Sequence, residues 1–432
     1  MKICMMTNTY LPHVGGVARS VSTFAEQYVR RKHEVLVVAP EFPGPPPPAK
    51  AEALVERVSA IRNFNGSEFS VRLPLAAALS TRLDEFAADI IHAHHPFLLG
   101  DTALRVAANK NVPIVFTHHT RYEDYVHYLP FDSDALVEIA TDLPTRFANL
   151  CDGVIAPSES IERLIRRRGV TVPIRVVPTG VDVKAFARGN RASFRARMGI
   201  SSGTFVVGCV SRLAPEKNLG YLASAVGLFL RKNPRARFLV VGEGPSTEAL
   251  KASFAKSGTA KQLILAGKQT GAALCAAYRA MDLFVFSSRS ETQGMVIAEA
   301  MAAGLPVVAL SANGVREVVR DGDNGLLAPA RATPAEFAQR IAAVARSPAL
   351  RRKFSRSAHA TAEEFSRERS AERALEFYRE IRQLTRPRRL ANELHPWESY
   401  LERIAVEWKL LATKTQSLAA ALMPETAEAK AS

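Results

Sequence analysis

Two glutamates bracket one short turn. In Glu291-Thr292-Gln293-Gly294-Met295-Val296-Ile297-Ala298-Glu299 a polar loop runs into an Ala/Met-rich segment, which ends at Gly304 with Pro306 just beyond. That ending is the stop signal of a helix. Apolar runs at 282–286 and 305–310 flank the unit and read as buried strands. Strand, polar loop, helix, strand is the arrangement that sets a helix N-terminus at the carboxyl edge of a parallel sheet. Free N–H groups there attract phosphate. Two carboxylates also invite a hydrolase acid/base reading, which spacing opposes. On one helix, eight residues separate them by roughly 12 Å along the axis, whereas glycosidase carboxylates stand roughly 5–9.5 Å apart. With Glu291 in the loop and Glu299 in the helix, they could instead touch different parts of one long ligand. Glu299 lies in an otherwise apolar helix, and a vicinal diol would supply the donors that a buried carboxylate needs. Its plainer reading is an exposed helix face.

Two cations have a similar address. In Ser211-Arg212-Leu213-Ala214-Pro215-Glu216-Lys217-Asn218, Arg212 follows an apolar strand and Lys217 opens the next helix. Arg engages two oxygens at once and Lys acts as a point charge, a set that suits a diphosphate. A surface ion pair with Glu216 is the plainer alternative. His118 and His119 end the run Ile114–Thr117, another strand tip. A lone histidine is more often structural than catalytic. Two at a strand tip, followed by Thr120-Arg121-Tyr122-Glu123-Asp124-Tyr125, favour a site. The acidic residues nearby lack familiar metal-ligand spacing. Near the N-terminus, Gly15-Gly16 precedes a helical pattern. The loop lacks a full G-x-G-x-x-G, so a nicotinamide cofactor is poorly supported. Adjacent glycines more simply let a ligand approach the backbone.

The elements that must position these residues alternate between strand and helix. Strands are expected at 2–7, 34–39, 90–94, 114–117 and 153–156, and then at 205–210, 237–241, 263–266, 283–286 and 307–310. Helices are expected at 18–31, 103–108, 218–232 and 248–257. The helix after Pro157 carries Arg163, Arg166, Arg167 and Arg168. Pro43 to Pro48 reads as a surface loop. The pattern gives an α/β protein with two doubly wound domains facing across a cleft. The expected division is an N-terminal domain over 1–180, a linker over 181–195, a second domain over 196–360, and a helical segment over 361–423. That segment opens with one long helix over 361–384 that crosses back to the N-terminal domain. Residues 424–432 are expected to be disordered. Trp397, Leu401, Ile404, Trp408 and Leu411 form one helical stripe. Its nearly cancelling charges favour packing on the protein over lying in a membrane.

Composition narrows the class. The chain has 432 residues, four scattered cysteines and a net charge of +15. No apolar run is long enough to span a bilayer, and the opening residues turn polar too soon for a signal peptide. Cys4, Cys151, Cys209 and Cys275 read as reduced core residues of a cytoplasmic protein. The charge implies an anionic partner.

Together these motifs resemble those of the retaining glycosyltransferases of family four. The residues that carry the likeness are Ser211-Arg212…Glu216-Lys217-Asn218, Val241-Gly242-Glu243-Gly244-Pro245, Glu291-Thr292-Gln293-Gly294…Glu299 through Val308, and Asn313-Gly314…Asn324-Gly325-Leu326. The resemblance implies the GT-B fold, two Rossmann-like domains, and a nucleotide-sugar donor, a UDP-hexose, bound without a metal. It implies that Arg212 and Lys217 hold the diphosphate, that Glu299 takes the ribose hydroxyls, and that Glu291 contacts the donor sugar. Thr292, Gln293, Gly294, Met295 and Val296 would lie near sugar and phosphate. Gly242, Gly267 and Lys268 would lie on the nucleotide side. His119, rather than His118, would stand beside the reacting sugar, with Gly15 and Gly16 near the diphosphate or acceptor.

The stretch from His119 through Tyr122, Tyr125 and Tyr128 looks like that of the subgroup that glucosylates diacylglycerol. This implies a lipid acceptor and a peripheral place on the inner face of the cytoplasmic membrane. Basic side chains near anionic lipid contribute about 1 kcal/mol each, which would suit Arg163, Arg166, Arg167 and Arg168; a solvated helix face is the alternative. Phe97, Leu98 and Leu99 could line an acyl groove or belong to the core. Another lipid or a soluble sugar is the runner-up acceptor. Rivals from other classes are a sugar-nucleotide epimerase and a nucleic-acid-binding protein. The latter lacks a reader motif or a basic–aromatic platform, so no nucleic acid is expected.

Overall fold

Unbroken apolar strands demand cover on both faces, and both sheets have it. The computed structural model describes residues 1–13, 15–42, 54–58, 60–61, 71–72, 77–123, 134–289 and 291–394, together with Ala405, Lys409, Leu410 and Thr413. Readings placed on Pro43–Pro48, Tyr125, Tyr128, the Trp397–Leu411 stripe and the 424–432 tail lie outside the described residues. The chain forms two units, residues 1–178 with 370–432, and residues 179–369.

The first unit holds β1 (Lys2–Met6), β2 (Glu34–Pro40), β3 (Val55–Val58), β4 (Ala60–Ile61), β5 (Val71–Arg72), β6 (Ile90–Ala93), β7 (Ile114–Thr117), β8 (Gly153–Ala156) and β9 (Ile174–Val176). Seven of them make a sheet in the order β3-β2-β1-β6-β7-β8-β9, parallel at every pairing, while β4 and β5 form a separate antiparallel pair. Successive side chains of a strand point to opposite faces. Accordingly, Cys4 and Met6 enter one core with Leu99, Phe116 and Phe147. Ile3 and Met5 enter the other with Tyr28, Phe377, Tyr378 and Ile381. The four cysteines are buried and unbridged, and burial pushes the thiols of Cys4 and Cys209 up to about 12.

The second unit holds β10 (Val206–Val210), β11 (Arg237–Val241), β12 (Leu263–Leu265), β13 (Leu283–Phe286), β14 (Val307–Leu310) and β15 (Gly325–Ala328). The sheet order is β12-β11-β10-β13-β14-β15, again all parallel. Val207 and Cys209 face one core, Val206 and Val210 the other.

Three expectations change. The segment at 181–195 is not an open linker: helices Val183–Ala187 and Arg191–Arg197 lie there. Val183, Phe186 and Phe194 enter the core, and the second helix also has polar anchors. Asp282 binds Arg191 at 2.7 Å and Arg195 at 2.8 Å. The Arg195 guanidinium also donates to the carbonyls of Ala280, Ser201, Ser202 and Thr204. Second, the helix expected over 361–384 is two, Pro348–Glu364 and Arg367–Leu384. Between them Val181 N–H donates to the Phe365 carbonyl and Arg367 N–H to the Val181 carbonyl. Gly180 makes this possible, since a Cβ there would lie 2.0 Å from Arg367 Cα. Third, β15 went unnoticed inside a motif.

From Ser370 on, the second of these helices belongs to the first unit. Its Ala371, Ala374, Leu375, Phe377, Tyr378 and Ile381 are buried there, and full burial of a large apolar side chain stabilises by roughly 1.5–3 kcal/mol. Leu410 is 3 % exposed in the same unit's other core. No helix among the described residues is long and apolar enough to cross a membrane.

The Arg195 side chain is 4 % exposed. Asp282→Ala would strand its charge, and breaking such a buried pair costs about 3 kcal/mol or more. A clear drop in the chemical-denaturation midpoint of the purified variant is expected. A midpoint equal to the parent's would refute the anchoring role.

Candidate active site

The carboxyl edges of the two sheets gather the polar residues singled out above. In the second unit β10 lies between β11 and β13, so the chain's winding reverses beside it. Such switch points are where open α/β sheets hold ligands. The loop after β10 passes through the turn Pro215–Lys217 to Asn218, which is left-handed at φ +55°. The loop after β13 is sewn to it. Ser287 Oγ donates to the carbonyls of Lys217 and Asn218 at 3.0 and 3.2 Å. Asn218 Nδ2 donates to the Ser287 carbonyl at 3.3 Å, and Ser288 Oγ to that of Glu216 at 3.4 Å.

This stitching brings the chemistry together. Lys217 Nζ lies 2.6 Å from Glu291 Oε1, and the two side chains are 20 % and 15 % exposed. Arg212 pairs with Glu216 at 2.9 Å, its own side chain half exposed. Partial burial pushes the Glu216 carboxyl up, but its backbone hydrogen bond and the Arg212 and Lys217 charges together hold it below the ordinary carboxylate value. The plainer sequence reading of Arg212 as an ion-pair partner of Glu216 is therefore realised, and Lys217 has a different carboxylate. Glu291 stands in the loop and Glu299 in the helix Met295–Ala302, the arrangement that the spacing argument left standing. Glu299 is 1 % exposed, so the exposed-face reading fails. Its Oε2 accepts a hydrogen bond from Tyr278 at 2.8 Å.

Gln293 is committed to the chain itself. Its Oε1 accepts from Thr179 N–H at 2.8 Å and its Nε2 donates to the Thr179 carbonyl at 2.7 Å. Gly294 is left-handed at φ +73° and caps Met295–Ala302. Thr292, Met295 and Val296 are half-buried around it, and the Val296 carbonyl accepts from Tyr278 at 3.3 Å. Gly242 joins the loops after β10, β11 and β12. Its N–H donates to the Gly267 carbonyl at 2.9 Å, and a Cβ on it would lie 1.9 Å from the Ser211 carbonyl oxygen at φ +136°. Lys268 is exposed, with its N–H donating to Glu243.

The first unit concentrates imidazoles at the ends of β6 and β7. His94 Nδ1 is 2.9 Å from His119 Nε2. His92 lies between Thr117 Oγ1 and the Tyr378 hydroxyl, 2.6 Å from each. His95 Nδ1 accepts from Asn8 N–H at 3.1 Å. Burial pushes His92 and His95 down to about 3 and His118 to about 4, with Glu123 partly opposing the last. Burial first, then neighbouring imidazoles, lower His94 and His119 well below the ordinary value. All five are therefore neutral near pH 7. Among the described residues no group of three or more His, Cys, Asp or Glu could hold a metal.

Other candidates sit as follows. Gly15 precedes the helix Gly16–Arg30, and a Cβ on Gly16 would meet nothing within 4 Å. Tyr122 packs edge-on against Phe97 at 5.7 Å. Leu99 is core. The arginine helix, Glu159–Arg167, is not a bare cationic face. Arg163 and Arg166 pair with Glu159 and Glu162 at 3.2 and 3.0 Å, while Arg168 binds Glu123 at 2.7 Å, which also holds Arg121. Arg167 is exposed. Sequence reasoning gave no role to Tyr278, Ser287, or the histidines in and just after β6. Only the proximity of His92, His94 and His95 to one another in the chain hinted at the last.

The chain is similar to known proteins over most of its length. Residues 14–185 match the family described as "Glycosyltransferase Family 4", and residues 190–361 match "Glycosyl transferases group 1". The chain is 28 % identical over 342 residues to the alpha-monoglucosyldiacylglycerol synthase of Acholeplasma laidlawii, covering 76 % of this chain and 84 % of that one. It is 30 % identical over 321 residues to the alpha-monoglucosyldiacylglycerol synthase of Streptococcus pneumoniae, covering 72 % and 71 %. Among solved structures, HepE of Anabaena in complex with UDP and glucose superposes with a TM-score of 0.67 at 22 % identity, covering 87 % of this chain and 99 % of that one.

The depressed histidines fix a pH response. Their folded values lie below the unfolded value near 6.5, so between about pH 4 and 6.5 the unfolded chain binds more protons. The stability they contribute is complete above about pH 6.5 and is lost as the pH falls. The denaturation midpoint should drop between pH 7 and 4.5, less steeply in a His95→Asn variant. Equal slopes in the two proteins would overturn the assignment.

Proposed function

The chain belongs to glycosyltransferase family 4, with the two Rossmann-like units of the GT-B fold, and from that premise we propose that it moves a hexosyl group from a UDP-sugar to the free hydroxyl of a diacylglycerol, with retention of anomeric configuration. The observation that carries the reading is the contact of Lys217 with Glu291 beside Arg212, at the switch point of the second sheet.

Breaking a sugar–phosphate bond develops positive charge on the sugar and negative charge on the departing diphosphate. Fixed cations lower that barrier because they are oriented before the charge appears. An ammonium carries three donors and a guanidinium five, so Lys217 and Arg212 can engage a diphosphate while each keeps a carboxylate. Glu291 then has two duties: it aims Lys217 and offers an oxygen to a sugar hydroxyl. Glu299 takes the ribose, steadied by Tyr278. Backbone N–H groups at Gln293, Gly294 and Met295 face the same ligand, and Gly242, Gly267 and Lys268 form the nucleotide side. His119 stands beside the reacting sugar, with Gly15 and Gly16 near the diphosphate. In same-face attack the bond from the anomeric carbon to phosphate oxygen breaks as the bond to acceptor oxygen forms. The acceptor proton passes to the departing phosphate.

The lipid acceptor rests on the stretch from His119 to Tyr122 and on relatives whose names give alpha-monoglucosyldiacylglycerol as product. A net charge of +15 suits a protein that works on the anionic inner face of the cytoplasmic membrane. Since Arg163, Arg166 and Arg168 are paired, their helix contributes less to that attraction than its sequence promises, and Arg167 more than its neighbours.

The test is a screen of UDP-glucose, UDP-galactose and GDP-mannose against diacylglycerol, other lipids and soluble sugars. It is run in vesicles with and without anionic lipid and read by mass spectrometry and anomeric NMR. Alpha-hexosyl-diacylglycerol from a UDP-hexose, faster on anionic vesicles, is expected. Transfer to soluble sugars alone would overturn the acceptor, and an inverted anomer the stereochemistry. Donor turnover without acceptor would indicate an epimerase.

Single substitutions separate the two carboxylates. Losing a charged hydrogen-bond partner costs roughly 1.5–3 kcal/mol, about ten- to hundredfold. Glu299→Ala should raise the donor KM by that factor with little change in kcat. Glu291→Ala should lower kcat by a similar factor. Unchanged kinetics in both would sink the assignment.

A further inference from the structure

The histidines of the first unit form a hydrogen-bonded and stacked set larger than the single imidazole the reaction needs. We propose that His94 is a positioning residue that fixes His119 as its Nδ1–H tautomer, so that His119 meets the substrate as a hydrogen-bond donor. This rests on the reading that His119 stands beside the reacting sugar.

The argument begins with one shared proton. His94 Nδ1 and His119 Nε2 lie 2.9 Å apart. Both rings are neutral, so each carries one N–H, and the contact admits two arrangements. In the first, His119 Nε2–H donates to His94 Nδ1, and the proton of His94 must then sit on its Nε2. That nitrogen is buried and, among the described residues, has no hydrogen-bond partner, so the arrangement strands a buried N–H. In the second, His94 Nδ1–H donates to His119 Nε2. The His94 Nε2 is then a bare lone pair and the proton of His119 sits on Nδ1. Orphaned buried N–H groups are rarer than under-satisfied acceptors, so the second arrangement prevails. A ring nitrogen's protonation follows from the hydrogen bond the other nitrogen makes.

The His94 ring is itself held in place. The His92 ring packs against it, tilted by 40°, with centroids 4.0 Å apart. His92 cannot turn, because Thr117 Oγ1 and the Tyr378 hydroxyl each lie 2.6 Å from one of its nitrogens. Tyr378 in turn bonds the Tyr28 hydroxyl at 3.1 Å. His92, His94, Tyr28 and Tyr378 are each no more than 1 % exposed, while His119 is half-buried at the sheet edge. The helix Arg367–Leu384 thereby supports the reacting edge of the first sheet through Tyr378 and two imidazoles.

Two measurements test this on the full-length protein. Nitrogen-15 NMR of histidine-labelled wild type reads the tautomer directly. His119, assigned by its loss in His119→Ala, should be protonated on Nδ1. A proton on Nε2 overturns the proposal. Kinetics supply the second readout. His94→Asn keeps an amide N–H where imidazole Nδ1–H was, whereas His94→Leu fills the space without a donor. The Asn variant should keep kcat within about threefold, and the Leu variant should lose roughly tenfold or more, with donor KM little changed in both. Equal losses in the two would mean that His94 acts by packing alone and would overturn the proposal. Should the Leu variant fail to fold, the wild-type tautomer still decides. If His119→Ala itself leaves kcat unchanged, the reading of His119 fails while the tautomer result stands.

Discussion

A parallel sheet covered on both faces leaves its chain one place to be polar, the loops beyond the strand ends. Both sheets obey that constraint. Their central strands, β1, β6, β7, β8, β10, β13 and β14, are buried along nearly their whole length, and every group proposed to meet substrate emerges after a strand's last residue. Arg212 and Lys217 follow β10, Gly242 follows β11, Gly267 follows β12, Glu291 follows β13 and His119 follows β7. The chemistry is therefore fixed by topology before any side chain is chosen. The second sheet's order places the loops after β10 and β13 next to each other, and Ser287 and Asn218 then join them by hydrogen bonds.

Electrostatics shape the same loops. Each cation proposed for the diphosphate already holds one carboxylate, Lys217 with Glu291 and Arg212 with Glu216. A lone buried charge would be costly, and a pair is tolerated and aimed. The pairing also distinguishes the two cations. Arg212 is bound by a residue on its own turn, so its position is a local matter. Lys217 is bound by a residue 74 positions away, so its position depends on how the loop after β13 packs on the loop after β10. In the proposed reaction Glu291 is both a contact for sugar and a brace for the group that receives the departing charge.

Much of this was legible in the sequence, for identifiable reasons. Strands such as 114–117, 153–156, 237–241, 283–286 and 307–310 are continuous apolar runs bounded by turn residues, and the structure has them at those limits. Helical rise alone opposed a hydrolase pair on one helix, which left the alternative that the structure shows, Glu291 in the loop and Glu299 in the helix. What escaped was held by distant or backbone partners. The helix Arg191–Arg197 rests in part on Asp282, nearly a hundred residues on, and on carbonyl groups that carry no side-chain signature. The break at Phe365-Ser366 exists because Val181 pairs with it. Tyr278 is one aromatic in an Ala-rich helix, and only the fold shows its hydroxyl on Glu299. The arginine helix misled in the opposite sense: its i, i+4 glutamates were in plain view, and they neutralise two of its four arginines.

The histidine set shows why a residue's type and its role separate. Five imidazoles near two strand tips would ordinarily suggest metal binding or proton traffic. Burial holds each ring neutral near pH 7, which disfavours proton traffic, and His92, His94, His95 and His119 each commit a ring nitrogen to a hydrogen bond within the unit. A neutral imidazole still has a direction, with a donor on one nitrogen and an acceptor on the other. Ring contacts and hydrogen bonding from His94, His92 and Tyr378 can set that direction at His119 and, with His119 where we propose it, add no charge beside a sugar that becomes cationic as its bond to phosphate breaks. A protonated histidine there would oppose the transition state. A neutral one that donates from a fixed nitrogen can hold a hydroxyl and leave the developing charge to the diphosphate and its cations.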